Sequence, residues 1–276
     1  MLETKELTVS FGGLHANDSV DIVVPTGSFV GLIGPNGAGK TTFIDAITGF
    51  VSVTRGSAVF DGVSLDGVPP HKRANRGLVR TFQSLELFED LSVEDNLYAA
   101  AEDPPWWGFL ADMVWPTRNG RNDAVERAIE VMELEEHRDA LPQDLSHGQR
   151  KLVGVARALA ANPKLILLDE PAAGLDTAES QLLGRRLRAF LDHDMTVFLI
   201  DHDMGLVLSV CDYIYVLDFG RIIAEGTPQD IREDPAVIAA YLGAEASEMQ
   251  EAGGEAARQE LADAEVESQA GEGAQA

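Results

Sequence analysis

Four short apolar runs recur along the chain. They read FVGLI (29–33), LILL (165–168), TVFLI (196–200) and YIYVL (213–217), and stretches with helical spacing separate them. Continuous apolar runs of this length, bounded by helices, are typical of strands that are buried on both faces of a parallel sheet. The pattern therefore predicts an α/β fold built around a mostly parallel sheet.

Such runs disappear between residues 84 and 160, where apolar residues recur at helical spacing instead. This spacing predicts one amphipathic helix over residues 123–137 and a second that stops at the Asn162-Pro163 pair. We therefore expect a helical lobe, about residues 84–160, inserted into the α/β core. The apolar positions of the two helices are Val125, Ala128, Ile129 and Met132, and Leu152, Val153, Ala156, Leu159 and Ala160.

The first apolar run leads into the segment GPNGAGKT, Gly34–Thr41, and a helical pattern that Gly49 can end follows it. The segment fits the phosphate-loop pattern of Gly, four residues, Gly, Lys and Ser or Thr, with a strand before it and a helix after it. Gly37 and Gly39 let backbone amides curve around phosphate oxygens, Lys40 adds a positive charge, and the Thr41 hydroxyl is a suitable Mg²⁺ ligand. Because both flanking elements agree, we prefer this interpretation to a chance glycine-rich turn. The motif predicts binding of a nucleoside triphosphate, without separating kinases, GTPases, motor ATPases and transport ATPases.

A second candidate anion site lies at the start of the helix that ends before Asn162. The sequence LSHGQ places Ser146 at the helix start, where it can cap the helix, with Gly148 two residues later. Because most capped helices bind no ligand, this signal is weak when taken alone.

Ionisable side chains follow two of the predicted strands. Asp169 and Glu170 come directly after LILL, and Asp201 and His202 come directly after TVFLI. The carboxyl ends of parallel strands meet at one edge of the sheet, where α/β proteins bind ligands. Asp169 suits an aspartate that helps to hold Mg²⁺, Glu170 suits a base that polarises water, and His202 suits contact with the γ-phosphate. The alternatives are an acidic pair that only starts a loop or caps a helix, and a histidine that is merely exposed.

Charge and composition narrow the class of protein. The 276 residues include 46 acidic and 21 basic side chains, a formal net charge of −25, which argues against a nucleic-acid-binding surface. No apolar run approaches the length of a membrane helix, and the N-terminus lacks a signal-like stretch, so we expect a cytoplasmic protein. Cys211 is the only cysteine, which excludes an intrachain disulfide, and we expect it to be a small buried side chain.

Part of the acidic excess belongs to the C-terminal segment. Residues 245–276 contain nine acidic residues and one arginine, a net charge of −8, and they are rich in Ala, Glu, Gln and Gly. This composition cannot bury much apolar surface, so we expect a disordered or transiently helical tail. The remaining residues, 1–244, carry −17 and form the expected catalytic domain.

Taken together, the motifs GPNGAGKT, RTFQ, LSHGQ, LILLDE and AGLD, followed by His202, resemble those of ATP-binding-cassette ATPases in order and spacing. The resemblance covers residues 1 to about 244. It implies a RecA-like phosphate-loop α/β core with an N-terminal antiparallel β part and the inserted helical lobe. It further implies ATP and Mg²⁺ as ligands, and hydrolysis coupled to transport.

The resemblance also implies roles for individual residues. Phe11 stacks on adenine, the alternative being a core aromatic, and Gln83 senses Mg²⁺ and water in catalysis. Ser146 and Gly148 contact the γ-phosphate bound to the partner of a head-to-tail dimer, and Asp176 links the two sites. Catalysis falls to Glu170, His202 and Gln83, and the metal site to Thr41, Gln83 and Asp169. The implied nucleotide-binding residues are Phe11, Gly34, Pro35, Asn36, Gly37, Ala38, Gly39, Lys40, Thr41, Thr42, Ser146, Gly148, Gln149 and Asp176.

Within the family, the chain is similar to the importer branch for branched-chain and other hydrophobic amino acids. The segments that carry this similarity include ITGF (47–50), RTFQSLELF (80–88), PAAGL (171–175) and YLG (241–243). Two departures bear on it: His147 replaces the second glycine of the general signature, and Asp176 and Asp201 follow the general cassette pattern, from which this branch often differs. Lipid or lipopolysaccharide export and urea uptake therefore stay open as alternatives, and a non-transport cassette, or a phosphate-loop kinase or GTPase, fits the motifs less well.

The resemblance implies three kinds of partner: a second ATPase subunit, membrane permease subunits on whose cytoplasmic face the protein sits, and an external substrate-binding protein. Trp106, Trp107 and Trp115 all lie in the expected helical lobe. Clustered aromatics of this kind are ordinarily core residues, but in cassette proteins this lobe receives the membrane subunits. We therefore expect part of the cluster to form or flank the docking surface.

Overall fold

The computed structural model describes residues 1–81, 87–101, 123–193 and 195–241. The expectations for Gln83, for the three tryptophans and for the acidic tail fall outside these residues. Within the described ranges, no helix is both long and apolar enough to cross a membrane.

The chain begins with an antiparallel sheet. Its strands are β1 (Leu2–Phe11), β2 (Leu14–Val24), β4 (Arg55–Phe60) and β5 (Val63–Ser64), in the spatial order β2-β1-β4-β5. The β1–β2 register runs from Leu2 opposite Val24 to Phe11 opposite Leu14, so the hairpin tip lies at residues 12 and 13. This sheet is the N-terminal antiparallel part of the predicted fold.

A six-stranded sheet forms the centre of the molecule. Its order is β10-β9-β3-β8-β7-β6, and all neighbouring strands are parallel except the antiparallel pair β9–β10. All four apolar runs are strands of this sheet, as predicted. The strands are β3 (Phe29–Ile33), β6 (Leu78–Arg80), β7 (Leu165–Asp169), β8 (Thr196–Ile200), β9 (Tyr213–Asp218) and β10 (Arg221–Gly226).

Helices cover both faces of this sheet or connect its strands. They are α1 (Lys40–Thr48), α2 (Pro70–Ala74), α3 (Val93–Ala101), α4 (Asp123–Val131), α5 (His147–Ala160), α6 (Thr177–Arg188), α7 (Met204–Val210) and α8 (Pro228–Glu233). Short 3₁₀ helices lie at Glu135–His137, Pro142–Asp144 and Ala189–His193. A last short helix spans residues 235–241.

Strand residues alternate between two cores. On one face, Val30, Leu167 and Phe198 pack with α1 and the antiparallel sheet. On the other face, Ile166 and Val197 pack with the helices that follow residue 87. The sheet is therefore the middle layer of three, which explains why β3, β7 and β8 are buried at every position.

The described residues between 87 and 160 form helices and turns without a strand, in the region of the expected lobe. The helix predicted over residues 123–137 is shorter than its pattern, however, since α4 ends at Val131. The Glu133 amide donates to the Glu130 carbonyl and the Leu134 amide to the Ile129 carbonyl, both at 3.0 Å. With Glu133 at φ 51°, these bonds form a helix C-terminal motif in which the left-handed position is usually a glycine.

Candidate functional site

The phosphate loop connects the buried strand β3 to α1. Gly39 precedes the helix with φ 104°, and a Cβ at this position would lie 2.3 Å from the Ala16 carbonyl oxygen. Gly37, also left-handed at φ 78°, makes the other turn of the loop. Both glycines are therefore required by the path of the backbone, and that path exposes amide groups at the N-terminus of α1.

Lys40 lies across this loop. Its Nζ donates to the carbonyl oxygens of Gly34 at 2.6 Å and Pro35 at 3.0 Å, and the side chain is buried. Burial lowers the pKa of Lys40, and the charges of Glu170 and Asp169 act in the opposite direction. The lysine thus lies between the loop and the acidic residues, where it can meet a phosphate.

The predicted metal ligands differ in their surroundings. Thr41 is exposed in the first turn of α1. Asp169 is buried at the end of β7, and its Oδ2 accepts a hydrogen bond from Arg80 at 2.7 Å. Burial raises the pKa of the Asp169 carboxyl, and the hydrogen bond from Arg80 lowers it. A paired carboxylate and an exposed hydroxyl form a donor set of the kind Mg²⁺ takes when phosphate oxygens and water complete its shell.

Glu170 directly follows β7 with a left-handed backbone, at φ 49°. Its amide donates to the Ile200 carbonyl at 2.7 Å, which fixes the residue against the end of β8. His202 follows that strand, and its Nδ1 lies 3.9 Å from Glu170 Oε2. The histidine side chain is 56 % exposed, so it is accessible to a ligand at this edge.

Asp201 lies behind His202 and is fully buried. Its Oδ2 accepts from the Ala172 amide at 3.2 Å and its Oδ1 from the Asp203 amide at 3.0 Å. Burial raises the pKa of Asp201, and the hydrogen bonds to the two amides lower it. The aspartate therefore fixes the segments that follow Glu170 and His202 relative to each other.

These groups meet because β3, β8 and β7 are neighbours and parallel. Their carboxyl ends deliver the phosphate loop, the Asp201-His202 pair and the Asp169-Glu170 pair to the same edge of the sheet. Backbone amides, a lysine and carboxylates that meet at the carboxyl ends of parallel strands define a nucleotide-binding site of the phosphate-loop class.

The second candidate anion site has a separate set of contacts. Ser146 caps α5, since its Oγ accepts from the Gln149 amide at 3.2 Å, and Gln149 Oε1 accepts from the Ser146 amide at 2.8 Å. A Cβ on Gly148 would lie 2.6 Å from a carboxylate oxygen of Glu179. Within the described ranges, no hydrogen bond or ion pair joins Ser146, Gly148 or Gln149 to the phosphate loop. The predicted helix start is therefore present, and it contacts α6 instead.

Asp176 is the N-terminal cap of α6. Its Oδ1 accepts from the amides of Ala178 and Glu179, both at 2.8 Å, and the Asp176 amide donates to Glu179 Oε2 at 3.2 Å. The residue therefore has a structural role of its own, next to the start of α5. Phe11 ends β1 at the hairpin tip and is 54 % exposed, which agrees with a surface for a base rather than with a core position.

Two polar residues near the phosphate loop were not assigned a role from the sequence. Arg80 carries an ion pair to Asp169, and Asn17, fully buried, donates from Nδ2 to the Gly39 carbonyl at 3.2 Å. The only local signal for Arg80 is a charged residue at the end of an apolar run. Asn17 lies in a strand pattern that gives no such signal.

Comparison with known proteins identifies the family of the chain. The family described as "ABC transporter" matches residues 17–173, and that described as "Branched-chain amino acid ATP-binding cassette transporter" matches residues 221–247. The high-affinity branched-chain amino acid transport ATP-binding protein BraF of Pseudomonas aeruginosa is 40 % identical over 251 residues, covering 88 % of this chain and 98 % of BraF. The lipopolysaccharide export system ATP-binding protein LptB of Escherichia coli is 37 % identical over 242 residues, covering 88 % and 97 %.

A solved structure of the ADP conformation of the cassette MJ1267 has a TM-score of 0.76 at 31 % identity, covering 88 % of this chain and 98 % of that one. The chain therefore belongs to the ATP-binding-cassette family of transporter ATPases. It binds nucleotide and hydrolyses ATP.

Proposed function

We propose that the protein is the ATPase subunit of a membrane transporter that takes up branched-chain or other hydrophobic amino acids. The observation that carries this proposal is the match of residues 221–247 to the branched-chain amino acid cassette family, beyond the general ATPase match that ends at residue 173. The similarity to BraF over nearly its whole length supports the same substrate class. In this assembly the protein lies on the cytoplasmic face of the membrane, bound to permease subunits that receive substrate from an external binding protein.

In the proposed mechanism, the phosphate-loop amides and Lys40 bind the β- and γ-phosphates. Thr41 and Asp169 would hold Mg²⁺, with Gln83 as a further ligand, and the ion would supply positive charge beside the phosphoryl group. Within the described ranges, no group of three His, Cys, Asp or Glu side chains is assembled to hold a metal. Thr41 and Asp169 supply two protein ligands among the described residues, so phosphate oxygens and water would complete the shell.

Glu170 polarises the attacking water, and His202 contacts the γ-phosphate. The support is their position: Glu170 is fixed by the end of β8, and the exposed imidazole lies 3.9 Å from its carboxylate. A water between the two groups and the phosphate can be held by both. Glu170 is the base in this arrangement because it directly follows the metal-binding aspartate at the same strand end.

In the proposed active form, the chain assembles head to tail with a second ATPase subunit, either another copy or a related chain. The start of α5, with Ser146, Gly148 and Gln149, contacts the γ-phosphate bound to that subunit, and Asp176 connects the two sites. The support is that these residues lie at a capped helix start and have no bond to their own phosphate loop within the described ranges. A helix N-terminus of this kind favours an anion brought by a partner.

Glu170→Gln tests the catalytic assignment. We expect the variant to bind ATP with unchanged affinity and to lose at least a hundredfold in turnover, because the amide cannot accept a proton from water. Glu225→Gln, on the exposed side of β10, is the matched control and should retain full turnover. Turnover within threefold of the wild type in Glu170→Gln would show that another group is the base.

The substrate class is tested in cells that lack the gene. We expect uptake of radiolabelled leucine and valine to fall, and to return with the wild-type gene but not with the Glu170→Gln variant. Because LptB is also similar, the same cells are assayed for lipopolysaccharide or other lipid at the outer surface, and for urea uptake. A lipid defect with normal leucine uptake would assign the protein to export instead.

A further inference from the structure

Arg80 is a buried arginine beside the catalytic edge. It is the last residue of β6 and is paired with Leu167 of β7, two residues before Asp169. Its side chain is only 9 % exposed. A buried guanidinium requires partners, and here the partners are two carboxylates from different elements.

The guanidinium group connects α1 to the end of β7. Its Nη1 donates to Asp45 Oδ1 at 2.5 Å and its Nη2 to Asp169 Oδ2 at 2.7 Å. Asp45 lies on α1, the helix that the phosphate loop opens. One planar side chain therefore sets the position of the predicted metal-binding carboxylate relative to the phosphate-binding helix.

Arg80 engages only one of the two oxygens of the Asp169 carboxylate. Within the described ranges, the only hydrogen bond to this carboxylate is the one that Oδ2 accepts from Arg80. Oδ1 therefore stays available to a cation.

The next residue holds the same strand end. The Thr81 amide donates to the Leu167 carbonyl at 2.9 Å, and the Asp169 amide donates to Thr81 Oγ1 at 3.2 Å. Arg80 and Thr81 together therefore fix both the backbone and the carboxylate of Asp169. They do so immediately before the segment that contains Gln83.

We propose that Arg80 is a positioning residue for magnesium binding: by bridging Asp45 and Asp169 it presents the Asp169 carboxylate to the Mg²⁺ of the bound nucleotide. This inference rests on the proposed role of Asp169 in the ATPase site. It requires an arginine, because a lysine ammonium is a point charge and cannot engage two carboxylates with the same planar geometry.

The test measures nucleotide binding without relying on hydrolysis. Wild type and Arg80→Lys are titrated with a fluorescent ATP analogue, first in EDTA and then at fixed nucleotide with increasing Mg²⁺. For Arg80→Lys we expect affinity in EDTA within twofold of the wild type, and at least a tenfold higher Mg²⁺ concentration for half-maximal effect. The matched control is Arg138→Lys, because Arg138 also bridges two carboxylates, Glu94 and Glu126, but among the helices that follow residue 87.

A second variant, Asp45→Asn, decides the matter if Arg80→Lys does not fold. It leaves Arg80 and Asp169 in place and removes the charge of the carboxylate on α1, so we expect a smaller shift, of about threefold or more, in the same direction. An unchanged Mg²⁺ dependence in the folded variants would overturn the proposal. Equal losses of affinity in EDTA and in Mg²⁺ would also overturn it, since they would assign Arg80 to the phosphate loop. If the wild-type protein binds nucleotide without any Mg²⁺ dependence, the proposed metal site itself is wrong.

Discussion

Replacing Asn17 with valine should stabilise the protein, although Asn17 contacts the phosphate loop. The side chain is 0 % exposed, and among the described residues its Oδ1 has no hydrogen-bond partner. Its Nδ2 donates to the Gly39 carbonyl at 3.2 Å, but that carbonyl also accepts from the Phe43 amide at 2.9 Å. The substitution therefore removes an unpaired buried acceptor and leaves no new unpaired group on the loop.

The expected change in the free energy of unfolding follows from these contacts. An unpaired buried polar group costs about 1–3 kcal/mol, and loss of an ordinary hydrogen bond costs about 1 kcal/mol. Valine also suits the strand β2, in which Asn17 lies opposite Val9. We expect Asn17→Val to be more stable by about 1 kcal/mol, which corresponds to a rise in Tm of about 2–4 °C for a chain of this size.

The assay is thermal unfolding without nucleotide, followed by circular dichroism, with ATP-analogue affinity measured in parallel. Affinity should stay within twofold, since Gly39 keeps its helical hydrogen bond. Asn17→Asp is the control of equal size, and it should lower Tm because it places a carboxylate in a fully buried position. A Tm for Asn17→Val at least 2 °C below the wild type would refute the reasoning, because the amide would then contribute more than its unpaired oxygen costs.

Three further predictions concern single side chains. Arg73→Ala should lower the free energy of unfolding by about 3 kcal/mol, because the buried guanidinium donates to four carbonyl groups. Two of these carbonyls, those of Ala46 and Ile47, lie at the end of α1. A urea-unfolding midpoint within error of the wild type would contradict this. Gly39→Ala should abolish ATP-analogue binding, because the new Cβ would lie 2.3 Å from the Ala16 carbonyl oxygen, and binding within threefold of the wild type would show that the loop adapts. Burial raises the pKa of the Cys211 thiol, so at pH 8 iodoacetamide should label the unfolded chain at least a hundredfold faster than the folded one, and equal rates by mass spectrometry would place the thiol at the surface.

Much of the fold could be predicted because its signals are local. The four apolar runs became strands, since continuous burial on both faces leaves no other use for such short segments. The end of α4 could not be predicted, because Glu133 adopts the left-handed conformation for which glycine is the usual signal. At this position the hydrogen bond from the Leu134 amide to the Ile129 carbonyl outweighs the preference of glutamate for a negative φ.

The site divides in the same way. The phosphate loop and the strand-end carboxylates could be located because each is a contiguous motif beside a recognisable element. The Arg80 bridge could not be located, because Asp45 and Asp169 lie 35 and 89 positions from Arg80 in the chain. At such separations a single sequence carries no information on which side chains pair. The cap at Ser146 was predicted, whereas its contact with α6 through Gly148 depends on the packing of two helices.

The position of β3 in the sheet has a consequence for synthesis of the protein. The strand that leads to the phosphate loop begins at Phe29 and lies between β8 and β9, which begin only at Thr196 and Tyr213. The loop is also held by the Gly220 amide, which donates to the Ala38 carbonyl at 2.8 Å. A ribosome must therefore release most of the chain before the loop can be completed. We therefore expect nucleotide binding to be a property of the nearly finished polypeptide, and chains that end before β9 to be inactive.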